Sequence, residues 1–201
     1  MKIVEQSAEL IWITPDAEKV IEKIARVCYK SETAVTGDSH KKMIQTLLKN
    51  KHGAMLEHSV ASIKFVTERG VTHELCRHRV ASFAQESTRY CNYSKDKFNR
   101  EITVVKPPYL EPADEAVWRL SCEMAEKAYM DLIDHGVKPQ IARSILPTCL
   151  KTEIVVTANF REWLHIFSLR LDAAKAHPQI VELMGHAKVI LDFQAPAVFG
   201  A

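Results

Sequence analysis

Paired cysteines are missing from this 201-residue chain. The five residues (Cys28, Cys76, Cys91, Cys122 and Cys149) are odd in number, scattered and never in a Cys-x-x-Cys pair. That argues against a disulfide framework or a zinc ribbon and for a reducing, cytoplasmic setting. Glycine is scarce. The six glycines lie too far apart for a dinucleotide-binding turn or a P-loop, and no Gly-x-Ser-x-Gly elbow occurs. No stretch approaches the ~20 apolar residues that span a bilayer, and Met1-Lys2-Ile3-Val4-Glu5-Gln6 does not read as a signal peptide. An excess of one charge is missing as well. Lys+Arg 27 against Asp+Glu 25 leaves +2, which argues against nucleic acid or another polyanion as partner.

What is present is the composition of a globular protein, with 47% apolar and 26% charged residues. At ~150 residues per domain, the length predicts one domain over 1–201. Thr14-Pro15-Asp16 reads as a helix start, followed by Val20, Ile21, Ile24, Val27 and Cys28 at helical spacing. A second helix follows Asp38-Ser39, with Met43, Ile44, Leu47 and Leu48 on one face. Ala61, Ile63 and Phe65 alternate with polar residues as a strand that Gly70 breaks, and a short helix is predicted over 72–79. Residues 91–100 read as a polar loop, and 102–105 as a short strand before Pro107-Pro108. Trp118, Cys122, Ala125, Tyr129 and Leu132 mark a helix that Gly136 ends. A helical turn or two over 140–146 precedes Pro147. Thr152, Ile154, Val156 and Ala158 predict a strand, Asn159 caps a helix over 160–172, and a last helix runs over 179–191. The fold class expected is α+β, a helix-rich domain with a small antiparallel sheet.

The densest chemistry lies in Arg77-His78-Arg79-Val80-Ala81-Ser82-Phe83-Ala84-Gln85-Glu86-Ser87-Thr88-Arg89-Tyr90. Three arginines suit phosphate bidentately, and the hydroxyls add donors. A solvated basic face is the plain alternative. His73-Glu74 with His78 fails as a zinc motif, because the histidines stand at i and i+5, ~140° apart on a helix. Arg161 and His165 stand at i and i+4 and share a helical face. Arg170 projects ~180° from Arg161, at the edge of the Trp163/Phe167 stripe. One helix serving ligands on both faces must touch two pockets, or pockets shared between subunits.

These residues carry a resemblance. Arg77-His78-Arg79, seven residues, Ser87 and Arg89-Tyr90 resemble the signature of the flavin-dependent thymidylate synthases. His52 through Glu57-His58, Arg143 with Ile145-Leu146-Pro147, and Asn159-x-Arg161 with His165, Leu169 and Arg170 resemble further blocks of that family. The resemblance implies reductive methylation of dUMP to dTMP. 5,10-Methylenetetrahydrofolate would be the carbon donor, and NADPH the reductant acting through bound FAD. It also implies a homotetramer with sites at subunit junctions. Carried over residue by residue, it puts Arg77, His78, Arg79, Asn159, Arg161 and His165 at the flavin. It puts Glu74, Arg77, Gln85, Glu86, Ser87, Arg89, Arg143 and Arg170 at the nucleotide. Arg170 matches the arginine that activates the uracil ring, and no metal is implied. Glu74 stands where many members have Gln, and His165 where some have Asn.

Overall fold

Alternation drives the centre of the sheet. In β3 (Val60–Glu68) and β6 (Lys151–Asn159) every second side chain is buried and the ones between are half-covered, the period-2 pattern of strands packed on one face. The computed structural model describes residues 1–200. Four strands lie in the order β2-β3-β6-β4, with β2 Ser7–Ile13 and β4 Ala81–Gln85 at the edges. Thr14 N bonds Val60 O, Phe160 N bonds Ser59 O and Glu86 N bonds Glu153 O. In each case one strand's end lies beside its neighbour's start, so the sheet is antiparallel. A separate pair, β1 (Lys2–Val4) with β5 (Thr103–Val105), is parallel, with Ile3 opposite Val104.

Two compact units divide the chain, and β2, β3, β4 and β6 each contribute residues to both. The first comprises 1–7, 65–77 and 84–154. It holds α3 (Arg69–Leu75), α4 (Pro112–Asp134) and α5 (Pro139–Ala142). Pro at the first position starts α4. Gly136, at φ 84, ends it while Val137 N bonds Leu132 O. The helix buries Cys122 and Tyr129 against Tyr93, Ile102, Val104 and Leu150.

The second unit comprises 8–64, 78–83 and 155–201. It holds α1 (Ala17–Tyr29), α2 (Ser39–Lys49), α6 (Phe160–Arg170), α7 (Pro178–Gln194) and α8 (Pro196–Phe199). Trp163 is fully buried, and its indole N–H donates to Ala61 O at 3.1 Å. Phe160 and Phe199 meet edge to face at 4.9 Å. The stripe read for α1 is partly displaced. Ile21 is buried, but Val27 is 54% exposed, and the inner face carries the Glu22–Arg26 ion pair instead. No helix among the described residues is long and apolar enough to cross a membrane.

Candidate active site

Helix α3 stops at Leu75, where Cys76 N bonds Thr72 O and Arg77 N bonds Glu74 O. Arg77-His78-Arg79 therefore leave the helix as irregular chain, not as its last turn. His73 lies on α3 and His78 beyond its end, so the ~140° helical separation expected for the two does not describe them.

In the first unit, Arg69, His73, Thr88, Arg143, Ser144 and Thr148 help line a cleft of about 270 Å³. Arg143 opens a 3₁₀ turn and donates Nη1 to Thr88 Oγ1 at 3.1 Å. Two guanidinium groups and an imidazole on one wall suit an anion with several oxygens. Gln85 and Glu86, at the end of β4, are turned into the fold. The Gln85 amide donates to Thr72 Oγ1 at 2.9 Å and Thr152 Oγ1 at 3.3 Å. The Glu86 carboxylate accepts from the Tyr93 hydroxyl and from Lys151 Nζ, each at 3.1 Å. Burial, then the Glu86 charge, pushes the Tyr93 phenol up, so it stays a donor. Ser87 Oγ accepts from Arg89 N at 3.3 Å. Arg89 is exposed with its guanidinium 5.6 Å above the Tyr90 ring. Glu74 is half-buried on α3, and Arg77 is exposed beyond it.

In the second unit, Asn159 is the N-cap of α6, its Oδ1 accepting from Glu162 N at 2.8 Å. The cap sets the phase of the helix. Glu57, Val80, Asn159, Arg161, Glu162 and His165 then line a cleft of about 360 Å³. Arg161 pairs with Glu57 across the 3₁₀ segment Gly53–His58. A Cβ on Gly53 would lie 3.0 Å from Arg161 Nε and 3.1 Å from its Cδ, so a side chain there would push Arg161 aside by a few tenths of an ångström. Arg79 is exposed, whereas His78 is 5% exposed. His78 Nε2 accepts from Arg170 Nε at 3.0 Å, and Nδ1 lies 3.7 Å from Glu162 Oε1. The His165 ring meets it edge-on at 6.1 Å. Burial first, then the charges of Arg170 and His165, lower the His78 pKa to about 4, so the imidazole is neutral near pH 7. Donor atoms of His78, Glu162 and His165 lie within 4.8 Å of one another, but a guanidinium 3.0 Å from the ring works against a cation there.

A wider cleft of about 610 Å³, lined in part by Lys19, Glu22, Arg26 and Val35, lies along α1. It contains none of the motif residues. Its Arg26 is already engaged by Glu22 and by the Ser31 carbonyl.

The family model for "Thymidylate synthase complementing protein" matches residues 9–197. The chain belongs to this family. A flavin-dependent thymidylate synthase of Geobacter sulfurreducens is 31% identical over 201 residues, covering 94% of this chain and 84% of that relative. One from Pyrococcus furiosus is 40% identical over 135 residues, 65% of this chain and 54% of its own length. The chain thus spans about half of that relative. Among solved structures, the UMP/dUMP methylase PolB of Streptomyces cacaoi, bound with 5-Br dUMP, superposes with a TM-score of 0.83. The sequence identity is 25%, and the match covers all of this chain and 96% of that one.

Within this thymidylate synthase complementing family member, the residues singled out by sequence divide cleanly. Glu74, Arg77, Gln85, Glu86, Ser87, Arg89 and Arg143 fall in the first unit, and His78, Arg79, Asn159, Arg161, His165 and Arg170 in the second. Sequence reasoning missed Arg69, weighed His73 only as a metal ligand and missed Glu162, whereas Thr88 stood among the hydroxyls offered to an anion. Gly70 was a usable signal for Arg69 and His73. Gly70 N bonds Thr148 O at 3.4 Å, and a Cβ there would lie 3.1 Å from Thr148 Cγ2, which marks a close approach at the cleft wall. Glu162 carried no signal, because an acid in the first turn of a helix is ordinary.

Proposed function

We propose that this chain, acting as one catalytic domain over 1–201, converts dUMP to dTMP by reductive methylation. FAD is the redox group, 5,10-methylenetetrahydrofolate the carbon donor and NADPH the reductant. The observation that carries this reading is the Arg170–His78 hydrogen bond at 3.0 Å, in a member of this family. A uracil ring becomes nucleophilic at carbon 5 when negative charge on its ring nitrogen and carbonyl is stabilised. A guanidinium does this without deprotonating. Held against a buried neutral imidazole, it needs little reorganisation as that charge develops. Among the described residues no histidine–acid relay is hydrogen-bonded to Ser87, which serves as a binding hydroxyl.

The donor set of the second unit fits a flavin dinucleotide. Arg161, in the room left by Gly53, and Arg79 offer guanidinium groups to a pyrophosphate, and Asn159 and His165 line the same cleft as Arg161. Bound there, the flavin supplies the redox chemistry. His78 is assigned to the flavin as well as to Arg170. In the first unit, Arg143 with Ser87 and Arg89 is assigned to the nucleotide phosphate, and Glu74 and Arg77 to the rest of dUMP. Gln85 and Glu86 are assigned to shaping that segment through Thr72, Thr152, Tyr93 and Lys151. A homotetramer belongs to the reading. Val117, Leu120 and Met124, at i, i+3 and i+7 on α4, are 58–66% exposed, and Val189 and Phe193 on α7 are 71% and 84% exposed. Such apolar rows are what a second copy covers. The five free cysteines accord with a cytoplasmic location.

The test is a visible absorption spectrum of the purified protein, followed by anaerobic NADPH with and without dUMP. A flavin band bleached by NADPH, and thymidylate on adding the folate, is the expected result. No band after incubation with FAD would overturn the reading.

A further inference from the structure

Glu162 is not among the residues that the resemblance singles out, yet it is buried, at 8% exposure. A buried carboxylate is costly unless opposite charge or a dipole answers it. Here the answer lies through one ring. Arginine can only donate, so His78 Nε2, 3.0 Å from Arg170 Nε, must be the acceptor. The neutral imidazole then carries its proton on Nδ1, which faces Glu162 Oε1 at 3.7 Å. That separation is too long for a hydrogen bond. It is a charge–dipole contact, acting in a setting from which water is largely removed. Carboxylate, imidazole and guanidinium form a line along which each group sets the next. The Asn159 cap keeps the acid on the His78 side of α6.

We propose that Glu162 is a positioning residue: it holds His78 in the Nδ1–H tautomer, so that Nε2 accepts from Arg170 and fixes the guanidinium. The role in turnover rests on the thymidylate synthase reading above. The tautomer claim does not. In solution neutral histidine favours the other tautomer, with the proton on Nε2. In that form Nε2 would present a hydrogen to Arg170 where the structure requires a lone pair. Without the carboxylate, Arg170 loses its hydrogen bond to His78 while the backbone stays in place.

The test uses the flavin-loaded protein with 15N-labelled histidine at pH 7.5, read by long-range proton–nitrogen spectra. Wild type should show His78 with a protonated Nδ1 and a bare Nε2. Glu162→Leu should shift it toward Nε2–H and lower kcat about 10-fold or more, a typical cost for removing a residue that orients a functional histidine. Because Glu162 lines the cleft assigned to the flavin, kcat is compared per bound flavin. Glu162→Gln, which keeps the shape but not the charge, should shift the tautomer the same way as Glu162→Leu, by less, because an amide dipole attracts the Nδ1 proton more weakly than a carboxylate does. Should Glu162→Leu misfold, Glu162→Ala gives the same comparison. In an Arg170→Ala background, removing Glu162 should have no further effect on turnover. A wild-type His78 protonated on Nε2, or a Glu162→Leu protein that keeps the Nδ1–H tautomer, overturns the proposal. Wild type that forms no thymidylate overturns the functional reading instead, and the tautomer shift still decides what Glu162 does.

Discussion

Acid should destabilise this protein through His78, by an amount the structure allows to be worked out. The unfolded side chain titrates near 6.5, whereas in the fold, burial and the Arg170 and His165 charges lower it to about 4. Between those values the unfolded chain takes up a proton that the folded one refuses. Stability is therefore unaffected by this group above about pH 6.5. It falls as pH drops from 6.5 toward 4, and levels off below. At ~1.4 kcal/mol per pH unit, the gap between 6.5 and about 4 corresponds to about 3 kcal/mol. That is a large share of a typical 5–15 kcal/mol. Other titrating groups add their own slopes, so the comparison needs a partner variant. His78→Gln keeps an acceptor carbonyl for Arg170 but cannot be protonated. Urea unfolding of both proteins at pH 7.5, 6.5, 5.5 and 4.5, at one protein concentration, isolates the difference. The wild type should lose about 2.5 kcal/mol relative to the variant across that series, which ends just above the folded value. Parallel curves would refute the argument that His78 is buried neutral.

Arg170→Ala should fold and keep its flavin, yet lose about 3–4 kcal/mol of transition-state stabilisation, read as a roughly 10²–10³-fold drop in thymidylate formation. Wild-type turnover in that variant would remove Arg170 from the chemistry. Ser87→Ala should weaken dUMP binding in a titration while the protein stays yellow; a colourless protein would place Ser87 at the flavin. Gly53→Ala, by setting a Cβ 3.0 Å from Arg161 Nε, should lower FAD retention on gel filtration with a melting temperature shifted only slightly. Asn159→Ala removes the cap on α6 and should cost about 1 kcal/mol in chemical denaturation.

Much of the scaffold was legible because it obeys local rules. The alternation at Ala61, Ile63 and Phe65 and again from Thr152 to Ala158 became β3 and β6, the central strands. The Trp118–Leu132 stripe became α4, ended by Gly136, and the Asn159 cap was read directly. Strands β1, β2 and β4 were not read. β4 is Ala-Ser-Phe-Ala-Gln, with no strong strand formers besides Phe83. Its conformation comes from the ladder to β6, marked by Glu86 N on Glu153 O, and strand preference is largely a matter of such neighbours. β1 exists only in partnership with β5, a hundred residues away.

The same division runs through the site. Sequence by itself determined which chemical groups are available: a cluster of arginines, a capped helix with Arg161 and His165 on one face, and Arg170 at its end. Residue type and helical spacing are local properties, and composition excluded the rival cofactor-binding motifs. Tertiary structure alone decided which way the groups point. It turned Gln85 and Glu86 toward Thr72, Thr152, Tyr93 and Lys151. It buried His78 between two exposed arginines and aligned that ring between Glu162 and Arg170, 84 and 92 positions further along the chain. Burial and pairing at such separations depend on how distant segments pack, and packing is what sets whether an imidazole is charged and which of its nitrogens holds the proton.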